Sequence, residues 1–230
     1  MNVNKEKSLK VFAISDLHLS INNPKPMDIF GPVWQGYLDS IFSDWQKKVG
    51  EDDVVILAGD FSWAMKLEDT APDFALLSTL PGKKIILKGN HDYWWNAIGK
   101  VRASLPEGFY ALQNDAIKIG DYIFCGTRGW TFDDEKLLSR ETLRLEMSLE
   151  SAKKLQTNGE EIICIMHYPP FDKGETSTPF TNLIEKYGIK KVIFGHIHAQ
   201  PYFPLQTIKN GVHYYLTSCD MTQNSLVQIY

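Results

Sequence analysis

Five short apolar runs, each closed by side chains that can ligate a metal ion, constrain this chain more than any other feature. LKVFAIS (residues 9–15) leads into Asp16 and His18, DVVILAG (53–59) into Asp60, and KKIILKG (83–89) into Asn90, His91 and Asp92. EIICIM (161–166) leads into His167, and KKVIFG (190–195) into His196 and His198. Runs that are apolar throughout, rather than alternating, belong to central strands covered on both faces. In open α/β sheets the functional crevice lies beyond the carboxyl ends of the strands. Residues far apart in sequence are therefore expected to meet at one edge.

Three further runs read as strands: DYIFCGT (121–127), VHYYLTS (212–218) and SLVQIY (225–230). Between the strands lie helical patterns. In residues 33–49 the set Val33, Trp34, Tyr37, Leu38, Ile41, Phe42, Trp45 and Val49 follows the spacing of one buried stripe. Residues 134–157 form a charged candidate with Leu138, Leu145, Leu149 and Ala152 on one side, and its Arg140, Glu141, Arg144 and Glu146 read as a solvated face or a lid. Residues 179–187 start at Pro179 and stop before Gly188, the usual asymmetry of helix ends. Alternating strands and helices predict an α/β fold with a largely parallel sheet, and the strand-rich last third predicts a second sheet. No repeat or linker divides residues 1–230, so a single domain is expected.

Apolar residues make up 43% of the chain and charged residues 23%, enough to bury a large core and too balanced for disorder. The net charge of −4 comes without a run of lysines and arginines, which argues against nucleic acid or a membrane surface as a partner. The opening MNVNKEKSLK lacks the apolar segment of a signal peptide, and no stretch approaches the roughly 20 apolar residues of a membrane span. A cytoplasmic location is the expectation. Cys125, Cys164 and Cys219 are an odd, widely spaced set that reads as buried thiols rather than disulfides or a zinc site.

Five of the six histidines sit at strand ends, joined there by Asp16, Asp60 and Asn90; His213 is the exception and reads as an ordinary surface or satisfied core residue. Imidazole with carboxylate and amide oxygen, and no thiolate, suits manganese, iron, zinc, cobalt or nickel. Setting His91 aside, seven ligands exceed what one catalytic ion with open positions needs, so two ions about 3.5 to 4 Å apart fit better. Two divalent ions bring four positive charges, while Asp16, Asp60 and a bridging hydroxide return three. The remaining positive charge would attract an anion such as phosphate without any basic patch.

The ordered set DLH, GD, GNHD, a lone histidine and GHIH, spanning Asp16 to His198, resembles the calcineurin-like metallophosphoesterase superfamily. The resemblance implies a four-layer α/β/β/α sandwich of two mixed sheets flanked by helices. It implies that Asp16, His18 and His198 bind one metal, that Asn90, His167 and His196 bind a second, and that Asp60 bridges them. His91 would assist the leaving group, with Asp92 orienting it, while a metal-bridging hydroxide attacks a phosphate mono- or diester. The stretches GDFSWAM and GNHD lack the arginine and glutamate of the protein phosphatase branch, so the chain looks more like the bacterial small-substrate branch. A scaffold that binds metal without catalysis, or a nuclease, are the alternatives.

Around this set Trp94, Trp95, Arg128 and Tyr168 are candidate substrate-binding residues. The two tryptophans, with Tyr93 and Trp63, could stack on a base or sugar, or pack a helix start against the sheet. Arg128 could fork onto phosphate oxygens or form a structural ion pair, and Tyr168 could shape the mouth of the site or only a turn.

Overall fold

The computed structural model describes residues 9–22, 24–171, 177–200 and 202–230. The reading of residues 1–8 therefore lies outside the described residues. In chain order the strands are β1 (Val11–Ile14), β2 (Val54–Leu57), β3 (Lys83–Leu87), β4 (Phe109–Leu112), β5 (Ala116–Ile119), β6 (Tyr122–Thr127), β7 (Glu161–Met166), β8 (Lys191–Phe194), β9 (Gln206–Lys209), β10 (Val212–Leu216) and β11 (Val227–Gln228). The helices are α1 (Tyr37–Lys48), α2 (Ala71–Ser78), α3 (Ile98–Ser104), α4 (Glu135–Leu155) and α5 (Pro179–Lys186). Among the described residues, no helix is long and apolar enough to cross a membrane.

Two mixed sheets result, one ordered β11-β1-β2-β3-β4 and the other β5-β6-β7-β8-β10-β9. Strands β1 to β4 run parallel, as do β6, β7, β8 and β10, while β11, β5 and β9 are antiparallel edges. The expected second sheet is present, but it draws β5 to β8 from the middle of the chain, and the last strand, β11, returns to the first sheet.

Strand periodicity of two divides the apolar runs between layers. Val11, Ala13, Val54, Ile56 and Ile85 of the first sheet meet Phe124, Ile163, Ile165, Ile193 and Tyr215 of the second in a buried layer between the sheets. The alternate residues Phe12, Ile14, Val55, Leu57 and Ile86 pack outward against Ile41 and Trp45 of α1, Phe74 and Leu77 of α2, and Val101 of α3. On the far side Ile123, Cys125, Cys164, Val192 and Tyr214 pack against Leu145, Leu149 and Ala152 of α4 and against Phe180 and Ile184 of α5. The order of layers is helix, sheet, sheet, helix. The apolar stripe predicted for residues 33–49 joins the first helix-side cluster in full, though the helix begins at Tyr37 after a short turn of 3₁₀ helix at Pro32–Trp34.

The helix ends follow their local chemistry. Asp134 caps α4 by accepting the Leu137 amide at 2.9 Å, and Thr178 and Thr181 form a reciprocal capping box ahead of Pro179 in α5. Lys153 and Lys154 sit in the last turn of α4, where they complement the negative end of the helix dipole.

The two sheets touch along the layer between them and are also stitched at their carboxyl edge. The Ser15 amide donates to Thr217 O at 2.8 Å and the Cys219 amide to Ser15 O at 3.1 Å, joining the end of β1 to the end of β10. The edge is thereby a rigid seam fed by strands of both sheets.

Because Ile163 is fully buried between the sheets, Ile163→Ala should lower unfolding free energy by about 2 to 5 kcal/mol. Denaturant titration checks this, and a loss under about 1 kcal/mol would mean the layer repacks freely.

Candidate metal centre

The ends of β1, β2 and β8 hand their polar residues to the seam through unusual backbone turns. Asp16, His18, Asp60 and His196 have φ of 61°, 48°, 52° and 70°, in the left-handed region that side chains other than glycine enter at a cost of about 1 to 2 kcal/mol. The loops after β1 and β2 lie side by side, with the Asp16 amide on Gly59 O at 2.9 Å and the His18 amide on Asp60 O at 3.0 Å. Such strain persists only where surrounding contacts enforce it, and here it aims the Asp16 and Asp60 side chains into the same seam.

Glycines make that approach possible. A Cβ on Gly89 would collide with the Asp60 carboxylate and amide, and one on Gly195 would collide with the side chains of Ser15 and Asp16.

The predicted ligands converge. Ligand atoms of Asp16, His18 and His198 lie within 4.8 Å of one another, as do those of Asp16, Asp60 and His167. Asn90 Oδ1 lies 2.6 Å from His167 Nε2 and 2.9 Å from His196 Nδ1. Asp60 Oδ2 stands 3.8 Å from His18 Nε2 and 3.6 Å from His167 Nε2, so it reaches a member of each set. His213, by contrast, is exposed on β10, away from this set.

Neighbouring groups fix the imidazoles. His167 Nδ1 lies 3.0 Å from Ala58 O, which can only accept, so that nitrogen carries the proton and Nε2 turns its lone pair toward Asn90 and Asp60. His198 Nδ1 sits 2.8 Å from Asp220 Oδ1 while its Nε2 lies 3.3 Å from Asp16 Oδ1. Asp220 also accepts the Ala199 amide at 3.0 Å. Sequence reading misses this carboxylate, although its signal is the same as the others: an acid just past a strand run, in TSCD.

The protein's own groups give the site severe electrostatics. Burial followed by the charges of Asp16 and Asp92 pushes Asp60 up to about 9. Burial would also raise Asp16, but the hydrogen bond and charge of His198 outweigh it and hold this carboxyl far below the usual range. Burial works to lower His198, yet its bonds to Asp16 and Asp220 carry it up to about 10. Burial drives His18 down to about 3, His167 down to about 4, and lowers His196. His18 Nδ1 is buried and, among the described residues, has no hydrogen-bond partner. Neutral imidazoles beside two buried carboxylates, with an unpartnered ring nitrogen among them, fit divalent cations.

Asp92 departs from its expected part. It is fully buried and accepts from the amides of Phe61, Ser62 and Gly89 at 2.9, 3.1 and 2.7 Å and from Trp94 Nε1 at 2.9 Å. These four donors occupy its oxygens, and among the described residues no hydrogen bond joins it to His91. It pins the loop after β2 to the loop after β3. His91 instead gives its amide to Asp60 Oδ1 at 2.8 Å, and its ring faces Trp63 at 4.7 Å with Tyr93 Oη 3.5 Å from Nδ1.

The aromatic candidates separate. Trp94 lies in the helix-side core, and Trp95 is buried with Nε1 on Gln113 Oε1 at 2.7 Å. The Tyr168 ring packs against the His196 ring, 4.1 Å between centroids and tilted by 41°. Arg128 forms no ion pair among the described residues; its guanidinium lies 4.5 Å from the Trp130 ring. The wall facing the ligands is supplied by Met27, Phe30, Trp34 and Trp63, around a cavity of about 410 Å³.

A metal-ligating centre at the strand ends of an α/β/β/α sandwich is thus the class defined by fold and site. Residues 9–200 match the family model of calcineurin-like phosphoesterases, and the chain belongs to that family, whose members bind divalent metal ions and hydrolyse phosphoesters. Comparison with curated proteins gives no significant match. Among solved structures, the chain is similar to TT1561 of Thermus thermophilus, at TM-score 0.63 and 16% identity over 96% of this chain and 97% of that one. It is also similar to the phosphopantetheinyl hydrolase PptH of Mycobacterium tuberculosis, at TM-score 0.54, 16% identity and coverage of 96% and 95%. A protein of unknown function from Aquifex aeolicus, AQ665, matches at TM-score 0.52, 16% identity and the same coverage. At these identities the likenesses concern the fold.

Asp220→Asn should weaken metal binding about 10- to 100-fold by releasing His198, measured as metal retained against a chelator; unchanged retention would remove Asp220 from the centre. The buried carboxylates also set a pH dependence. A folded Asp60 near 9 against 3.8 unfolded penalises the metal-free fold increasingly as pH rises through that interval. The contribution of His198, raised from 6.5, is complete below 6.5 and is lost as pH climbs toward 10. Chelated protein should therefore melt at falling temperature from about pH 7 to about pH 9.5, and a flat profile would contradict the assignment.

Proposed function

We propose that the protein hydrolyses phosphate mono- or diesters, nucleotides among them, with two divalent transition-metal ions (manganese, iron, zinc, cobalt or nickel) as cofactors and a small phosphate ester as its substrate. The observation that carries the reading is the pair of ligand groups sharing Asp16, opening beneath His91 into a cavity whose far wall is apolar. Asp16, His18 and His198 would hold one ion, Asn90, His167 and His196 the other, and Asp60 both. Bound there, the ions would supply positive charge for the phosphoryl oxygens and acidify a water.

The remaining work falls to the protein's own groups. Burial lowers the pKa of His91, so near neutral pH its ring is neutral. It serves the leaving oxygen as a neutral N–H donor rather than as a standing imidazolium. Phe30 and Trp34 favour an ester whose organic part is flat or apolar, since they put ring surface on the cavity wall, whereas Trp63 already carries Lys25 Nζ 4.1 Å from its ring centre and the stacked His18 ring. Phe30 is 62% exposed at the rim and can meet such a group without rebuilding the centre.

Purified protein loaded with manganese, iron or zinc should release nitrophenol from mono- or bis-nitrophenyl phosphate, and no metal-dependent release would refute the proposal. His91→Asn should leave metal content intact and reduce kcat about 10²- to 10⁴-fold on an alkyl phosphate whose alkoxide needs a proton. The loss should be much smaller on nitrophenyl esters, whose leaving group departs without one. Equal losses on both would show that His91 acts elsewhere than on the leaving oxygen.

A further inference from the structure

The ends of β3 and β6 and the first half of α4 enclose a second cavity, of about 240 Å³, that the metal centre does not use. Its wall carries four cationic side chains: Lys88 after β3, Arg128 after β6, and Arg140 and Arg144 on α4. One carboxylate faces them. Glu141 is 1% exposed and accepts from Arg144 Nη1 at 2.7 Å, from Arg140 Nη2 at 3.4 Å and, on its other oxygen, from Thr127 Oγ1 at 2.7 Å. The helix face read from sequence as solvated is therefore, at Glu141, a buried ion-pair node. Its charge is taken up by the two α4 arginines. Lys88 and Arg128 are half-buried and form no ion pair among the described residues. Four cations against one anion leave three positive charges around one small cavity in a chain of net charge −4.

Holding Glu141 in place requires one cation, not four. Clustered like charges repel, and a half-buried lysine and arginine lose hydration, so the arrangement is unfavourable unless an anion joins it. The lining also includes Gln113 and Asn114, which are polar and uncharged. The cavity belongs to the same strand ends as the metal centre: Lys88 precedes Asn90 by two residues, and Arg128 O accepts the amides of His167 at 3.1 Å and Tyr168 at 2.9 Å.

We infer that this cavity is a second anion site, which binds a further phosphate group of a substrate that carries two. The inference rests on the hydrolase reading for the identity of that anion as part of a substrate, but not for the binding itself. Arg128 and Lys88 are the direct partners of the distal phosphate, and Arg140 and Arg144 supply field while they hold Glu141.

The test uses the full metal-loaded chain and a series of linear alkane α,ω-bisphosphates of two to six carbons, each paired with its monophosphate. Calorimetry should show at least one bisphosphate binding about tenfold tighter than its partner, with the advantage shrinking as salt rises. Arg128→Gln and Lys88→Met should each erase most of that advantage while metal content and melting temperature hold. Should either variant fail to fold, Arg140→Gln on the exposed side of α4 should still reduce the advantage. No advantage at any length in the wild type, or an advantage indifferent to all three substitutions, would overturn the inference even if nitrophenyl phosphate is turned over. Variant-sensitive binding without turnover of any ester would instead uphold the anion site and remove the hydrolase reading.

Discussion

Two carboxylates, Asp16 and Asp60, are buried to 0% and 1% exposure, and their ion-pair partners are histidines. Much of the rest of the molecule answers that constraint. Isolated buried charges are unfavourable, and in proteins they shift their pKa or find a cation. Among the protein's own groups the first occurs: Asp60 moves up to about 9, while Asp16 stays ionised by sharing a proton-bearing His198 with Asp220. Each of these protons must leave for a divalent ion to enter, which couples metal affinity to pH. The neutral His18 and His167 are already in the state that a metal needs.

Keeping such a site in place takes a stiff frame, and the fold supplies it with the pattern that builds the core. The same period of two that sends alternate strand residues to three apolar layers delivers the strand ends to one edge. Left-handed turns at Asp16, His18, Asp60 and His196 then redirect the chain so that side chains, not backbone, fill the seam. Local preference is broken at these four residues, while the strands that lead to them follow the usual rules of burial and propensity. Among the described residues five other non-glycine positions also have positive φ, three of them asparagines that tolerate it, so the conflict is concentrated at the site rather than confined to it, and such a concentration is where function is expected.

That division explains what is legible from sequence. Inner strands announce themselves by continuous apolar runs, and the five ligand-bearing strands β1, β2, β3, β7 and β8 all have a neighbour on each side. Edge strands β4, β5 and β9 escape such a reading because they are short and mix exposed with buried or half-buried residues, as in Gln206–Lys209. Helices α2 and α3 span eight and seven residues, too short for a stripe to repeat. At the site the residues that converge can be picked out as candidate ligands by type and position, whereas Asp220, Asp92 and Glu141 cannot be given their parts that way. An acid's role depends on which donors its oxygens meet, and those donors come from segments far away in the chain, such as Phe61 for Asp92 and Thr127 for Glu141.

The stretch NHDYWW after β3 shows how finely such partners divide adjacent residues. Asn90 turns to His167 and His196, His91 to the open cavity, and Asp92 back into the protein to four donors. Of the aromatics, Tyr93 is 54% exposed beside His91, Trp94 hangs its indole N–H on Asp92 within the core, and Trp95 walls the cationic cavity. Trp94 therefore reaches the centre through Asp92, which ties the loop carrying Asp60's neighbours to the loop carrying Asn90, and through an edge-on contact with the Phe61 ring at 6.0 Å. One carboxylate and one indole, neither facing the metal centre's cavity, hold the spacing between two strand ends on which the ligands depend.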